Sequence, residues 1–302
     1  ELGSNERKQL LEVASNVAIY AVDDTLVALG ALARFHRRRF AIPLGAVTGS
    51  NGKTSTKEMV AEILNVRGPT LKTEGNLNNE IGVPLTLFRL GAQHRAAVIE
   101  MGMNHAGEIA RLTAMAEPTA GLITVVQPAH LEGLGTIAGV AKAKAELFWG
   151  LAQTSIAVVN LDDQQIVEQS HDLRCRKLTF GEAENADIRM LSVTPNRHLG
   201  QILTLSFHGK SVDVPIALIG RHNAINATAA CALATALGAS IDECALGLQQ
   251  VKAHAHRLEI VRSICGATVI DDTYNANPAS MIAGLKTLSQ IGARHRKIAI
   301  LG

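Results

Sequence analysis

Apolar runs of strand length alternate along this chain with longer segments of helical period. The candidate strands are residues 17–22, 42–48, 96–100, 121–126, 156–160, 178–180, 202–207, 268–270 and 297–301. Helix-period segments lie between several of them, notably 53–64 and 137–151. Alternation of this kind predicts βαβ units, and so an α/β fold with a mainly parallel sheet flanked by helices. Residues 188–215 depart from it, with short alternating strands and turns at Pro195-Asn196 and His208-Gly209. They read as a small antiparallel patch appended to the sheet. Residues 227–239 are apolar but short and Ala-rich, which reads as a buried helix; a membrane span needs about 18 uninterrupted apolar residues.

Two seams divide the chain. Arg37-Arg38-Arg39 precedes the strand at 42, and the polar stretch 249–256 precedes a fresh strand–helix pattern. The expected pieces are 1–41, 42–254 and 255–302. No initiator methionine opens the chain, and a last strand at 297–301 would leave a sheet exposed. The sequence therefore reads as a piece of a longer protein.

Composition narrows the class. Apolar residues make up 47% and charged residues 19%, which excludes disorder for the bulk of the chain. Lys plus Arg number 29 against 27 Asp plus Glu, a net charge of +2. That balance argues against a general nucleic-acid or membrane-surface binder, but permits one local anion site. Cys175, Cys231, Cys244 and Cys265 form no CxxC pair, which fits a reducing compartment and no cysteine-based zinc site. The polar N-terminus has no signal peptide.

The chemistry is concentrated at strand ends. Ala46-Val47-Thr48-Gly49-Ser50-Asn51-Gly52-Lys53-Thr54-Ser55 leaves an apolar strand and opens a helix. Gly49 and Gly52 let backbone N–H groups turn inward around an anion, and the helix N-terminus adds its positive end. Lys53 can reach β- and γ-phosphates, and the Thr54 hydroxyl can ligate Mg²⁺. The strict phosphate-loop pattern fails at its first glycine, where Val47 stands; the plainer alternative is a Gly-rich turn with a surface lysine.

Glu100 ends the strand at 96–100, where an acid beside a phosphate loop is expected to hold a metal. A solvated strand-end acid is the alternative, and Glu117 is a weaker rival. His130 follows the strand at 121–126 and reads equally as structural or as a ligand. On the helix from Ile137, Lys144 falls within the apolar stripe of Val140, Ala141, Leu147 and Phe148, whereas Lys142 faces away. A buried lysine needs compensation. It either snorkels, pairs with an acid, or stays neutral and takes up CO₂ as a carbamate able to ligate a second Mg²⁺.

With these residues in place, the chain resembles the Mur ligase superfamily, whose ATP loop tolerates a non-glycine first position. The resemblance runs from about residue 22 to 302. It rests on the loop, on Asn76-Leu77-Asn78-Asn79-Glu80-Ile81-Gly82-Val83-Pro84, on Glu100-Met101-Gly102-Met103-Asn104-His105, and on Asp271-Asp272-Thr273-Tyr274-Asn275-Ala276-Asn277-Pro278. His130-Leu131-Glu132-Gly133 and the segment 139–144 add to it. The family has a uridine-nucleotide domain, a central ATPase domain and a Rossmann-like C-terminal domain. By resemblance 1–41 is a remnant of the first, 42–254 the whole second and 255–302 the start of the third.

The resemblance implies an ATP-dependent amide ligase of the bacterial cytoplasm, working as a monomer in peptidoglycan-precursor synthesis. It would join D-alanyl-D-alanine to UDP-N-acetylmuramoyl-tripeptide through an acyl phosphate, using ATP and two Mg²⁺ ions. Gly49, Ser50, Asn51, Gly52, Lys53, Thr54 and Ser55 would cradle the phosphates. Thr54 and Glu100 would ligate one Mg²⁺, and His130 with carbamylated Lys144 the second. Asn223, in Gly220-Arg221-His222-Asn223, resembles an adenine-contacting asparagine. Arg257, Asp272 and Asn275 would surround the nucleotide, and Asn76, Asn78, Asn79 and His105 would line the acceptor side. One departure is His256-Arg257-Leu258, where the family usually has Gly-Arg-hydrophobic; glycine allows backbone angles that histidine resists. The chain on its own is expected to have little ligase activity.

Three other readings compete. A folylpolyglutamate-synthase-like ligase is opposed by the Tyr274-Asn275-Ala276-Asn277 stretch. A P-loop GTPase switch would need an Asn/Thr-Lys-x-Asp base-reading motif, and none occurs. A nucleotide-binding module without catalysis is the third.

Overall fold

The computed structural model describes residue 8 and residues 19–128, 131–196, 200–207, 209–252, 256–263, 266–274, 276–291 and 296–301. Its strands are β1 (Leu44–Thr48), β2 (Thr70–Lys72), β3 (Ala96–Glu100), β4 (Ala120–Ile123), β5 (Ile156–Asn160), β6 (Arg176–Gly181), β7 (Ile188–Pro195), β8 (Gln201–Phe207), β9 (Lys210–Ile216), β10 (Glu259–Arg262) and β11 (Thr268–Asp271). Its helices are α1 (Thr25–Arg37), α2 (Lys53–Asn65), α3 (Gly82–Leu87), α4 (Glu108–Ala116), α5 (Leu131–Leu134), α6 (Ile137–Trp149), α7 (Gln164–Gln169), α8 (Arg221–Ala236), α9 (Ile241–Gln250) and α10 (Pro278–Gln290). No helix among the described residues is long and apolar enough to cross a membrane.

β1 to β9 form one sheet in the order β2-β3-β1-β4-β5-β6-β7-β8-β9, and β10 pairs antiparallel with β11. Pairings from β2 across to β7 are parallel, while β7–β8 and β8–β9 are antiparallel. The expected patch is therefore three strands that continue the sheet. β1 lies between β3 and β4, so the chain moves to one side of it and then the other. A ligand crevice is expected outside the carboxyl ends of strands at such a reversal.

Both faces of the sheet are covered, which is why its strands read as unbroken apolar runs. Val47 packs with Met59, Val60 and Ile63 of α2 and with the alanines of α8. Leu44 and Ala46 face the other way, into a core with Ile109 and Leu112 of α4 and Leu147 and Phe148 of α6. α8 is buried along most of its length. Small side chains let it lie close to the sheet. α9 approaches α2 still more closely: a Cβ on Gly247 would lie 2.3 Å from the Ile63 Cα.

α1 is capped by Asp24, whose side chain accepts from the Leu26 and Val27 amides. At its far end the buried Arg37 donates to the Ala116, Phe40 and Ile42 carbonyls. Burial lowers its pKa, against the raising effect of Glu117. These bonds tie residues 37–42 to α4 and to the start of the sheet.

Two expected strands are not formed. Ile19–Val22 is irregular, with Ile19 and Tyr20 48% and 85% exposed, and Val17 and Ala18 lie outside the described residues. Residues 297–301 are also irregular, with Ile298, Ile300 and Leu301 exposed. Apolar content does not make a strand unless a neighbour accepts its backbone hydrogen bonds, and neither segment has one among the described residues. Two boundaries also shift. β1 begins at Leu44 because Pro43 has no N–H for a ladder. β4 stops at Ile123 because side chains take over its exit: Asn160 Nδ2 donates to the Thr124 carbonyl at 2.9 Å, and the Val126 amide donates to Asp163 Oδ2 at 2.7 Å. α1, β2 and β10 had no clear signal in the sequence.

Candidate active site

The loop between β1 and α2 sits at the strand reversal. Gly49 has φ 151° and Gly52 φ 80°, both in the region that favours glycine. The loop is stitched to the β4 exit. Thr124 Oγ1 donates to the Asn51 carbonyl at 2.6 Å, and the Ser50 amide donates to the Val125 carbonyl at 2.8 Å. Ser50 Oγ donates to the Gln127 carbonyl at 2.9 Å, and Asn51 Nδ2 donates to Gln127 Oε1 at 2.6 Å. The Ser50 and Asn51 side chains thus hold the loop's shape. A Cβ on Gly49 would lie 1.9 Å from Thr124 Oγ1. Gly49→Ala is therefore expected to cost about 2 kcal/mol of stability, from backbone strain plus this overlap. Urea unfolding checks this, and a midpoint equal to wild type would contradict it.

Lys53, Arg257, the Lys144 amine and the Glu100 carboxylate gather near the loop. Lys53 Nζ donates to the Gly49 carbonyl at 2.9 Å. Burial pushes its pKa below the ordinary value, with Glu100 opposing the shift and Arg257 adding to it. Glu100 is placed by the parallel register, which sets it beside Val47. It is 2% exposed. Its amide donates to Thr73 Oγ1 at 2.9 Å, and its Oε1 accepts from Asn78 Nδ2 at 2.9 Å. Its Oε2 is buried without a hydrogen-bond partner among the described residues. A buried carboxylate oxygen with no donor is costly unless a cation meets it. The donor set of Glu100 and the Thr54 hydroxyl, all oxygen, fits Mg²⁺.

Lys144 lies on α6, 2% exposed, and the Lys142 side chain is exposed as expected; Ile137, first of the apolar stripe, is 42% exposed. Lys144 makes no salt bridge with a described residue. Burial and then the nearby charge of Lys53 push its pKa down to about 7. Its burial closes off the snorkelling alternative, and leaves an amine that gives up its proton far more readily than an exposed lysine, close to Lys53. Glu117, the rival acid, is elsewhere. It caps the end of α4 and pairs with Arg34 and Arg38, whose hydrogen bonds bring its pKa to about 2.

A cavity of about 340 Å³ opens beside the loop. Asn51, Gly52, Asn223, Asn226, Arg257 and Asp272 are among its lining residues. Asn223 is buried and donates through Nδ2 to the Ile219 carbonyl at 2.8 Å. Arg257 reaches across from the start of the last segment: its Nη2 lies 3.4 Å from Thr54 Oγ1, and its guanidinium sits 4.0 Å above the Tyr274 ring. Arg257 Nε is buried without a partner among the described residues. Asn277 adds a second bridge, its Nδ2 donating to Asn51 Oδ1 at 2.8 Å.

The structure thus gathers Gly49, Ser50, Asn51, Gly52, Lys53, Thr54, Ser55, Glu100, Lys144, Asn223, Arg257 and Asp272 around one crevice. Asn78 joins them through Glu100. Asn79 instead holds the approach to α3, its Oδ1 accepting from the Ile81 and Gly82 amides. Asn76 offers its carbonyl to the Asn78 amide at 2.7 Å. His105 is exposed and pairs with Glu108 at 3.1 Å. His130 and Asn275 lie outside the described residues. Sequence reasoning missed Thr124, Gln127, Asn226 and Asn277. Asn277 stood inside a quoted motif, and the other three follow strands or sit on helix faces with no local signature.

Strand reversal, glycine loop, lysine and strand-end carboxylate together define a P-loop-type α/β protein. The profile of the Mur ligase middle domain matches residues 47–234, and that of the Mur ligase glutamate ligase domain matches residues 256–302. The chain belongs to the Mur ligase family. The UDP-N-acetylmuramoyl-tripeptide–D-alanyl-D-alanine ligase of Escherichia coli (strain K12) is 43% identical over 89% of this chain and 60% of its own length. The crystal structure of MurF from Acinetobacter baumannii superposes with a TM-score of 0.85 at 34% identity, covering 96% of this chain and 67% of that one. The MurF ligase of Thermotoga maritima, solved in complex with ADP, gives 0.82 at 25% identity, covering 95% and 70%. The chain spans about 60% of the length of the curated relatives it matches.

Proposed function

We propose that this chain is the ATP-binding core of a bacterial cytoplasmic ligase that joins D-alanyl-D-alanine to UDP-N-acetylmuramoyl-tripeptide, forming ADP, and that works as a monomer. The observation that carries it is the convergence of Lys53, Arg257 and the Lys144 amine on a glycine loop beside Glu100, one of whose oxygens has no partner among the described residues. Two cationic side chains and a helix N-terminus meeting at a glycine loop in a partly dry crevice suit a polyphosphate. The identity to ligases of this name supplies the acceptor.

The roles follow from position. Lys53 and the loop amides hold the β- and γ-phosphates. Arg257 closes over the loop beside Thr54, and Asn223 and Asp272 line the nucleoside cavity. Thr54 and Glu100 would hold one Mg²⁺, and His130 with a carbamylated Lys144 a second. Bound there, Mg²⁺ would neutralise charge between two anionic reactants. The protein's own part is to fix the tripeptide carboxylate in line with the γ-phosphate and to keep water out. The carboxylate takes the phosphoryl group, the dipeptide amine attacks the resulting acyl phosphate, and phosphate leaves as the amide forms. Asn78 ties the loop at 76–79, which would line the acceptor side together with His105, to Glu100.

The test is phosphate release from ATP with UDP-N-acetylmuramoyl-tripeptide present, assayed at the full length the relatives have. Release stimulated by D-alanyl-D-alanine and not by L-glutamate supports the reading. Release that instead needs a folate and glutamate overturns it.

A further inference from the structure

We infer that His256 is a positioning residue: by holding Asp271 across the hinge, it keeps the Arg257 guanidinium directed at Thr54 of the phosphate loop. The inference rests on reading that loop as the nucleotide's phosphate site.

Two non-glycine residues in the left-handed region bracket Arg257, His256 at φ 62° and Leu258 at φ 49°. Side chains with a Cβ resist that backbone, so each needs an outside hold. Both have one, and both holds come from the end of β11. His256 Nδ1 bonds Asp271 Oδ2 at 2.8 Å, and the Leu258 amide donates to Asp272 Oδ1 at 3.2 Å. The main chain adds two more ties. The His256 amide donates to Glu259 Oε2 at 3.2 Å, and the Tyr274 amide donates to the His256 carbonyl at 3.1 Å. Tyr274 is also the ring beneath the Arg257 guanidinium. The direction of Arg257 is thus set by backbone angles on either side of it, and those angles are set by a clamp built on one imidazole.

Asp271 and Glu259 are the charged groups that face the imidazole, and the three side chains bring ligand-type atoms within 4.8 Å of one another. The bond to Asp271, then its charge, raises the His256 pKa above its ordinary 6.5. Asp271 is held below 3.8, first by the Thr273 hydroxyl and then by His256. A raised histidine contributes fully below 6.5 and loses its contribution as pH rises through the raised value. A lowered aspartate loses its contribution only as pH falls through its own lowered value. The clamp is therefore strongest in mildly acidic solution and weakens in alkaline solution.

Glycine adopts the left-handed backbone unaided, and alanine does not. The decisive comparison is therefore His256→Ala against His256→Gly, in Mg-ATP calorimetry from pH 6 to 9. His256→Ala is expected to weaken binding roughly fivefold, the scale of one unsupported left-handed residue. His256→Gly should bind within about twofold of wild type at pH 6 and lack the extra pH dependence that wild type shows beside it. Equal affinities for the alanine and glycine variants, or an alanine variant that binds like wild type, overturn the inference. Hydrogen exchange at the Tyr274 amide reads the hinge without nucleotide. Faster exchange in His256→Ala but not in His256→Gly supports the clamp, and equal exchange refutes it. If wild type binds no Mg-ATP, the reading of the loop fails, and the exchange comparison still decides the hinge.

Discussion

Replacing Lys53 with alanine will weaken Mg-ATP binding by tenfold or more, about 1.4 kcal/mol, as measured by calorimetry on this chain. The lysine starts α2, and its ammonium turns back to the Gly49 carbonyl inside the loop's own curve. Phosphate oxygens offered at that point would meet an ammonium already partly stripped of water, so little further desolvation is needed. Removing it leaves Glu100 with less opposing charge and takes away the group nearest the expected β/γ position. Lys53→Arg should not restore binding, because a planar fork does not fit a curve built for a point charge. A second consequence is internal. The Lys53 charge is one cause of the depressed Lys144 pKa, so Lys53→Ala should let that pKa rise. Binding by Lys53→Ala at wild-type strength would show that the phosphates do not lie on this loop.

Replacing Lys144 with methionine will stabilise the protein at pH 7 in CO₂-free buffer. The side chain is 2% exposed and its pKa is about 7 against an ordinary 10.5. Between those values the unfolded chain holds a proton that the folded chain gives up, so stability rises with pH across that window. At neutral pH the cost of keeping the amine buried is on the order of 4 kcal/mol, at about 1.4 kcal/mol for each tenfold loss of proton affinity. Methionine fills the volume without that cost, so a gain of roughly 2–4 kcal/mol is expected at pH 7. The gain should shrink as pH approaches 10.5, where both states of wild type are deprotonated. Urea unfolding at the two extremes measures it. A methionine variant less stable than wild type at pH 7 would mean the ammonium is well paired after all. The same neutral amine is what carbamate formation needs, since CO₂ adds to the free base and releases a proton. With ¹³C-bicarbonate, wild type should show a carbamate carbon resonance that Lys144→Met lacks.

How much of the site was legible depended on how local its logic is. The loop from Thr48 to Ser55 declares itself because strand, glycines, lysine and helix are contiguous. Lys144 was legible because a helix has a fixed period, and a charge within an apolar stripe has to be buried. Glu100 and Glu117 were harder to separate, both being acids at the end of a regular element. Register decides between them: pairing β1 with β3 puts Glu100 beside Val47, while Glu117 ends α4 in the grip of Arg34 and Arg38. The strands expected at 17–22 and 297–301 failed for the complementary reason. Their apolar content was read correctly, but pairing is a property of two segments and cannot be seen in one. The histidine at 256 was seen as a departure where glycine is usual, and the backbone there is indeed left-handed; its hold on Asp271 became visible only when the two residues were brought together.

By itself the sequence determined an α/β chain, a glycine loop opening a helix, a buried lysine and a strand-end acid. Each is written in the spacing of neighbouring residues, because helix and strand periods translate directly into which face is buried. Only the tertiary structure decided that β1 would lie between β3 and β4. That choice brings Glu100, Thr124 and Lys144 to the loop, builds the cavity from Asn51, Asn223, Asn226 and Asp272, and lets Arg257 close over Thr54. Strand order is set by how whole faces pack against one another over long separations, and that balance leaves no mark in any single stretch of the chain.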